Sequence, residues 1–232
     1  MKSDQFIKEI RSKTHSYFSN KRFVLHKCGY ILEKLSDWHN NIIELSVVTY
    51  IENEKVNRNK NKNGKTFALH KYIHHGLSSQ ACLFNILGPF IANDSYNILR
   101  DVINLSGLNL KGQITNVILE HTDRDVLNER QLQPTSIDLY IETNNEEKVI
   151  GEFKFTEFEF GTCSVYECGD CDGANPKSDS NLCYLHKIKG RKYMDLMNKY
   201  SLFWNDSSCQ FTEFYQAYRL LLFALEENGY FL

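Results

Sequence analysis

Long apolar runs are missing from this chain of 232 residues, and no stretch approaches the roughly 18 consecutive apolar residues that a membrane-spanning helix needs. The first residues, MKSDQFIKEIRSK, also lack the apolar stretch of a signal peptide. An excess of one charge is missing too, since the formal net charge is −2. These absences argue against a membrane protein and against a globally basic nucleic-acid binder. We therefore expect a cytoplasmic protein without a membrane partner.

Proline is scarce, with three residues, and no proline- or glycine-rich linker divides the chain. The hydrophobic fraction of 42% is enough for one sizeable core. We therefore expect a single domain over residues 1–232. Its N-terminal part, residues 1–77, is predicted to be helical, because its apolar residues recur at helical spacing.

The second half of the chain changes its periodicity. Apolar and polar residues alternate as in strands over three segments: 114–120, 136–142 and 148–155. Helical spacing returns between residues 209 and 229, with Gly229 as a natural C-terminal cap. This order predicts the α/β (α+β) class, with a three-stranded meander in a mixed sheet flanked by helices.

Two carboxylates face each other in the predicted hairpin of residues 136–155. With the turn centred on Asn145, cross-strand partners are residues whose numbers sum to 290, so that Asp138 lies opposite Glu152. Like charges in that position destabilise a hairpin unless a cation compensates them. Lys154 follows Glu152 by two residues, which would place it on the same face of the same strand.

A divalent cation would compensate these charges, because Mg²⁺ binds through one or two carboxylates together with waters and phosphates. A metal ion held there, with a lysine beside it, is suited to phosphodiester hydrolysis. The alternative is that Asp138 and Glu152 are solvent-facing residues of an ordinary hairpin. Both interpretations stay open on the residues alone.

The segments PTSIDLYIE and VIGEFKFTE resemble the PD-(D/E)XK nuclease superfamily, within a bacterial restriction-endonuclease-like group. The resemblance implies a restriction-endonuclease-like core and cleavage of DNA that depends on Mg²⁺ or Mn²⁺. It implies that Asp138 and Glu152 bind the metal and that Lys154 is the catalytic lysine. Three residues separate Pro134 from Asp138, so the literal Pro-Asp pair is absent.

The resemblance carries two further expectations. A strand should follow the last helix, where the sequence offers only residues 230–232. Either these residues form a stub of that strand or the protein is shortened. An additional acid before the second strand often binds the metal in such enzymes. Glu120 is the nearest candidate for that ligand, and Glu44 is its rival.

Four of the seven cysteines crowd into the segment CSVYECGDCDGANPKSDSNLC. They are Cys163, Cys168, Cys171 and Cys183. The two-residue spacing of the central pair is typical of a metal knuckle, and four thiolates favour Zn²⁺ or, as the alternative, an iron–sulfur cluster. We therefore expect a cysteine-rich metal-binding insertion at residues 161–185, with free thiols as the competing interpretation. We expect Cys209 to be a buried small hydrophobe.

Two segments are locally basic. Residues 55–71 contain six Lys and Arg and no acid, and residues 186–199 are predicted to form a basic helix. The second segment supplies the candidate phosphate-binding residues Lys187, Lys189, Arg191 and Lys192.

These features predict a metal-dependent endonuclease with DNA as its partner. RNA is left open as a substrate, and so is a homodimer as the assembly. The alternative function is a catalytically inactive module of the same fold that binds nucleic acid or protein.

Overall fold

A computed structural model describes residues 3–60, 67–131, 133–157 and 159–232. The chain divides into two compact units. The first comprises Met1–Ile114 and Phe153–Glu157, and the second comprises Thr115–Glu152 and Phe158–Leu232. No helix in the described ranges is long and apolar enough to cross a membrane.

The first unit is helical. Its α-helices are α1 (Ser3–Asn20), α2 (Leu45–Lys60), α3 (Ser79–Ala92) and α4 (Tyr96–Asn104), and a 3₁₀ helix covers Leu35–Asn41. Helix α3 packs against both α2 and α4. A Cβ atom at Gly88 would lie 2.6 Å from Cγ1 of Val47, so glycine permits the close approach of α3 to α2. The basic segment 55–71 lies partly in α2, and its residues 61–66 lie outside the described ranges.

The second unit is built on a mixed sheet of four strands. The strands are β1 (Ile114–Thr122), β2 (Ser136–Thr143), β3 (Lys148–Gly151) and β4 (Tyr230–Phe231), in the order β1-β2-β3-β4. Contacts join Thr115 to Glu142 and Glu120 to Ser136, so β1 and β2 run in opposite directions. Strands β2 and β3 are antiparallel, whereas β3 and β4 are parallel. The fourth strand, β4, is the short strand that the resemblance led us to expect at residues 230–232 after the last helix.

The register predicted for the hairpin is confirmed. Tyr140 pairs with Ile150, and Glu142 pairs with Lys148, each pair summing to 290. Strand β3 nevertheless ends at Gly151, four residues before the predicted end, so that this part of the prediction is wrong.

The remaining helices of the second unit are short, except for the last. They are α5 (Ser164–Glu167), α6 (Tyr184–Lys187), α7 (Tyr193–Lys199) and α8 (Tyr215–Glu226), with 3₁₀ helices at Ser180–Leu182 and Gln210–Thr212. The predicted basic helix of residues 186–199 is therefore two helices with a turn between them. Gly190 lies in that turn with φ = 64°, a left-handed conformation that glycine adopts without strain.

Helix α8 ends in a Schellman motif that directs the chain into β4. The N–H group of Gly229 donates to the carbonyl of Ala224 (2.7 Å), and that of Asn228 donates to Leu225 (3.3 Å). Asn228, with φ = 52°, is the left-handed residue, not the predicted Gly229. Glycine is needed at 229 for space, because a Cβ atom there would lie 2.7 Å from Cδ1 of Ile150.

Candidate active site

The β2–β3 hairpin determines how the two predicted metal ligands are arranged. Its ladder extends from Glu142 and Lys148 to Leu139 and Gly151. Asp138 and Glu152 lie just beyond its last pair, and one further step along the same register would put them opposite each other. Cross-strand neighbours in antiparallel sheets have Cβ atoms about 5 Å apart. The N–H group of Glu152 donates to the carbonyl of Leu232 at 3.0 Å, which holds Glu152 beside the end of β4.

Alternation along β2 separates a polar face from an apolar one. Ile137, Leu139 and Ile141 are buried on one face. Asp138 and Glu142 are half-buried on the other, with the buried Tyr140 between them. The hairpin acids therefore do not stand on an open surface.

Glu120 lies next to this polar face. Its side chain is 8% exposed, and its Oε2 atom accepts a hydrogen bond from Oγ of Ser136 at 3.0 Å. Ser136 precedes Asp138 by two residues and so shares its face of β2. Glu120 has φ = 52°, a left-handed conformation that interrupts a strand and redirects its side chain. The rival ligand, Glu44, belongs to the first unit and is exposed.

Neither Glu152 nor Lys154 lies in β3, contrary to prediction, because the strand ends at Gly151. The segment Phe153–Glu157, which includes Lys154, belongs to the first unit. Contacts within that unit explain this departure. The ring of Phe155 packs edge-on against Phe6, with centroids 5.9 Å apart, and Oγ1 of Thr156 donates to the carbonyl of Leu77 at 3.3 Å.

The candidate ligands at the polar face are the carboxylates of Asp138 and Glu152, with Glu120 as a third, and they do not form a complete coordination site. Within the described ranges, no group of three or more His, Cys, Asp or Glu side chains is arranged to hold a metal ion. Mg²⁺ does not require such a group, because it binds through one or two carboxylates and keeps several waters. The donor set of Asp138 and Glu152 fits that requirement.

The predicted phosphate-binding residues fall into two classes. Lys187 and Lys192 are exposed, and Lys189 is half-buried with its ammonium group 5.9 Å from the ring centre of Tyr184. Arg191 is 3% exposed, and its Nη1 atom donates to the carbonyl of Asn128 at 3.4 Å. Its guanidinium group is therefore part of the interior, unlike the three lysines.

The four cysteines that the fold brings to one cavity differ from the four that the sequence suggests. Cys163, Cys171, Cys183 and Cys209 line one cavity, whereas Cys168 is exposed and is not part of its lining. Cys209 is buried as predicted, but beside the other three thiols. The cavity also extends beyond the predicted insertion of residues 161–185, because it includes side chains from α7 and from the 3₁₀ helix Gln210–Thr212.

Sequence reasoning missed a buried acid. Glu129 has no exposed surface and accepts hydrogen bonds from the backbone and side chain of Thr135, from Tyr193 and from Arg219. Burial raises the pKa of the Tyr193 hydroxyl, and the adjoining carboxylate raises it further. No local pattern marks Glu129, because two of its partners lie 64 and 90 residues further along the chain.

Comparison with known proteins gives one match. No curated protein and no solved structure matches the chain. A family model described as "Restriction Endonuclease associating with ARP" matches residues 8–232. Since the match covers nearly the whole sequence, the chain belongs to this family, REase-ARP.

Proposed function

We propose that this protein is a Mg²⁺-dependent endonuclease that hydrolyses phosphodiester bonds of DNA by a PD-(D/E)XK mechanism. Membership in a family named for a restriction endonuclease supports a nuclease-related role. The hairpin register is the observation that supports the proposal, because continuing it by one pair beyond Leu139 and Gly151 would put the half-buried Asp138 and Glu152 opposite each other.

Each residue has a distinct role in the proposal. Asp138 and Glu152 would hold the metal ion, and Glu120 would supply a further carboxylate. Mg²⁺, or Mn²⁺ in its place, would activate a water and stabilise the leaving oxygen. The motif assigns the role of catalytic lysine to Lys154, whose positive charge would orient the nucleophile or neutralise charge developing on the phosphate.

DNA is the proposed substrate, and Lys187, Lys189 and Lys192 are the proposed phosphate contacts. A Lys side chain binds a phosphate as a point charge, which attracts the nucleic acid without reading its sequence. Arg191 is left out of this set because of its burial.

The test is metal-dependent cleavage of plasmid and linear DNA by the full chain. Asp138→Asn and Glu152→Gln change a charge with little change in volume, and Lys154→Ala removes the ammonium group. We expect each substitution to lower the cleavage rate by about 10²–10³-fold, the range found when one charge-stabilising group is removed from an active site. Chelation of the metal should abolish cleavage in the wild type.

Glu142→Gln is the matched control. Glu142 lies four residues after Asp138 on the same face of β2 and contacts Asn116 and Tyr140. Its substitution should leave cleavage unchanged. Equal cleavage by all variants would reveal a contaminant or another site and would sink the proposal. Binding of DNA without cleavage in any variant would favour the inactive binding module, and faster cleavage of RNA would reassign the substrate.

A further inference from the structure

Four cysteines that are distant in sequence meet at one small cavity in the second unit. Cys163, Cys171, Cys183 and Cys209 are separated by 7, 11 and 25 residues. The cavity they line has a volume of about 20 Å³. That volume is close to the room that a single water molecule needs.

Backbone hydrogen bonds bring the cysteine-bearing segments together. The N–H group of Cys209 donates to the carbonyl of Gly173 at 2.8 Å, next to an antiparallel bridge between Ala174 and Ser208. The N–H group of Cys163 donates to the carbonyl of Phe211 at 2.9 Å. Cys163 and Cys171 are thus each tied to the segment around Cys209.

Three of the four cysteines lie at the start of short helices, and the sulfur of the fourth accepts a backbone hydrogen bond. Cys163, Cys183 and Cys209 each precede the first residue of a short helix. The N–H group of Gly173 donates to Sγ of Cys171 at 3.4 Å.

All four cysteines of the set carry thiols, because the seven cysteines are free in the structure and none of the four is engaged in a disulfide. Four cysteines that line one cavity supply the sulfur donors that a thiophilic metal ion prefers.

We propose that Cys163, Cys171, Cys183 and Cys209 bind one Zn²⁺ ion, with each thiol releasing its proton as the metal–sulfur bond forms. Within the described ranges, no three of these side chains are placed to hold a metal ion in the structure. Binding therefore requires rotation of side chains that already line the same cavity. The ion would stabilise a region whose helices α5 and α6 have four residues each, because metal binding supplies folding energy where regular structure is short.

We choose Zn²⁺ over an iron–sulfur cluster because a single ion needs less rearrangement of this small cavity than a cluster with several iron and sulfide atoms. Tetrahedral coordination by four cysteines is the usual form of a structural zinc site.

The experiment is metal analysis of the full chain, with Cys209→Ser and Cys168→Ser as a matched pair. We expect the wild type and Cys168→Ser to contain one zinc per chain and Cys209→Ser to lose it. Cys209 is buried, so Cys171→Ser, at a half-buried position, provides a second variant if Cys209→Ser fails to fold. Titration of metal-free protein with Co²⁺ should give the absorption bands of tetrahedral thiolate coordination.

Three results would overturn this inference. They are loss of zinc in Cys168→Ser with retention in Cys209→Ser, iron together with sulfide in place of zinc, and an absence of bound metal with disulfides within the set. The test is independent of the proposed nuclease function. Asp138→Asn should lower the cleavage rate by about 10²–10³-fold and keep the zinc, so failure of one proposal does not resemble failure of the other.

Discussion

Arg219 donates from Nη2 to Oε1 of Glu129 across 3.1 Å, in the interior of the second unit. Glu129 has no exposed surface. The same carboxylate accepts hydrogen bonds from Thr135 and Tyr193, and Nη1 of Arg191 lies 3.9 Å from it. One buried acid therefore joins the start of β2, the turn before α7, α7 itself and α8.

Replacing Glu129 should lower the stability of the folded protein. Glu129→Ala leaves two guanidinium groups buried without their counter-charge, and breaking a buried ion pair in this way costs about 3–5 kcal/mol. We expect the free energy of unfolding to fall by that amount in urea denaturation. Glu213→Ala, at an exposed position in the same unit, should change it by less than about 0.5 kcal/mol. Equal stability of both variants would contradict the central role of Glu129.

The hairpin was predictable from sequence, whereas Glu129 was not. Alternation over residues 136–142 and the turn at Asn145 are local features, and local features determine a register of strands that are adjacent in sequence. The importance of Glu129 depends on Tyr193 and Arg219, whose positions follow from the tertiary fold.

The cysteines and the end of β3 also depend on tertiary contacts that local sequence patterns do not reveal. The spacing of Cys168 and Cys171 is a local signal, but only Cys171 of this pair lines the cavity. Cys209 enters the set by a bridge between segments more than 30 residues apart. Alternation also continues past Gly151 in sequence, but contacts of Phe153–Glu157 within the first unit override it.

The junction between α8 and β4 is predicted to be sensitive to one methyl group. A Cβ atom at Gly229 would lie 2.7 Å from Cδ1 of Ile150 and 3.1 Å from the backbone oxygen of Lys148. Gly229→Ala should therefore destabilise the protein by about 1–3 kcal/mol, the usual cost of overpacking. Thermal or urea denaturation measures this loss.

The neighbouring residue provides the opposite control. Asn228 has φ = 52°, a conformation that glycine adopts at less cost. Asn228→Gly should leave stability unchanged or raise it by up to about 1 kcal/mol. Destabilisation of both variants to the same degree would show that the helix end, and not the space beside β3, is what Gly229→Ala disturbs.

Glu157 should contribute to the acid sensitivity of the first unit. Burial alone would raise the pKa of this carboxyl, but hydrogen bonds from the Ser79 hydroxyl and the N–H groups of Phe155, Glu157 and Thr156 hold it below its ordinary value. A carboxyl with a lowered pKa stabilises the folded state above its unfolded pKa, near 4.3. That stabilisation is lost as the pH falls through the lowered folded-state pKa.

Glu157→Gln tests this pH dependence. Urea denaturation should find the variant less stable than the wild type at neutral pH, and the difference should shrink as the solution is acidified below about pH 4. Ser79→Ala removes one of the donors and should produce part of the same effect. A difference that stays constant from neutral to acid pH would show that the ionised carboxylate is not what stabilises this turn.

The exposed lysines and the buried arginine of the basic segment should respond differently to substitution, if DNA is bound there as proposed. Lys187→Gln and Lys192→Gln remove charges at the surface, so each should lower DNA affinity and reduce the slope of log affinity against log salt by about 1. Arg191→Gln removes a buried donor to Asn128 and Gln131 and should instead lower the free energy of unfolding. Binding measured over a range of salt concentrations in Ca²⁺, together with urea denaturation, separates the two effects. A salt slope that neither lysine substitution changes would show that DNA does not follow this surface.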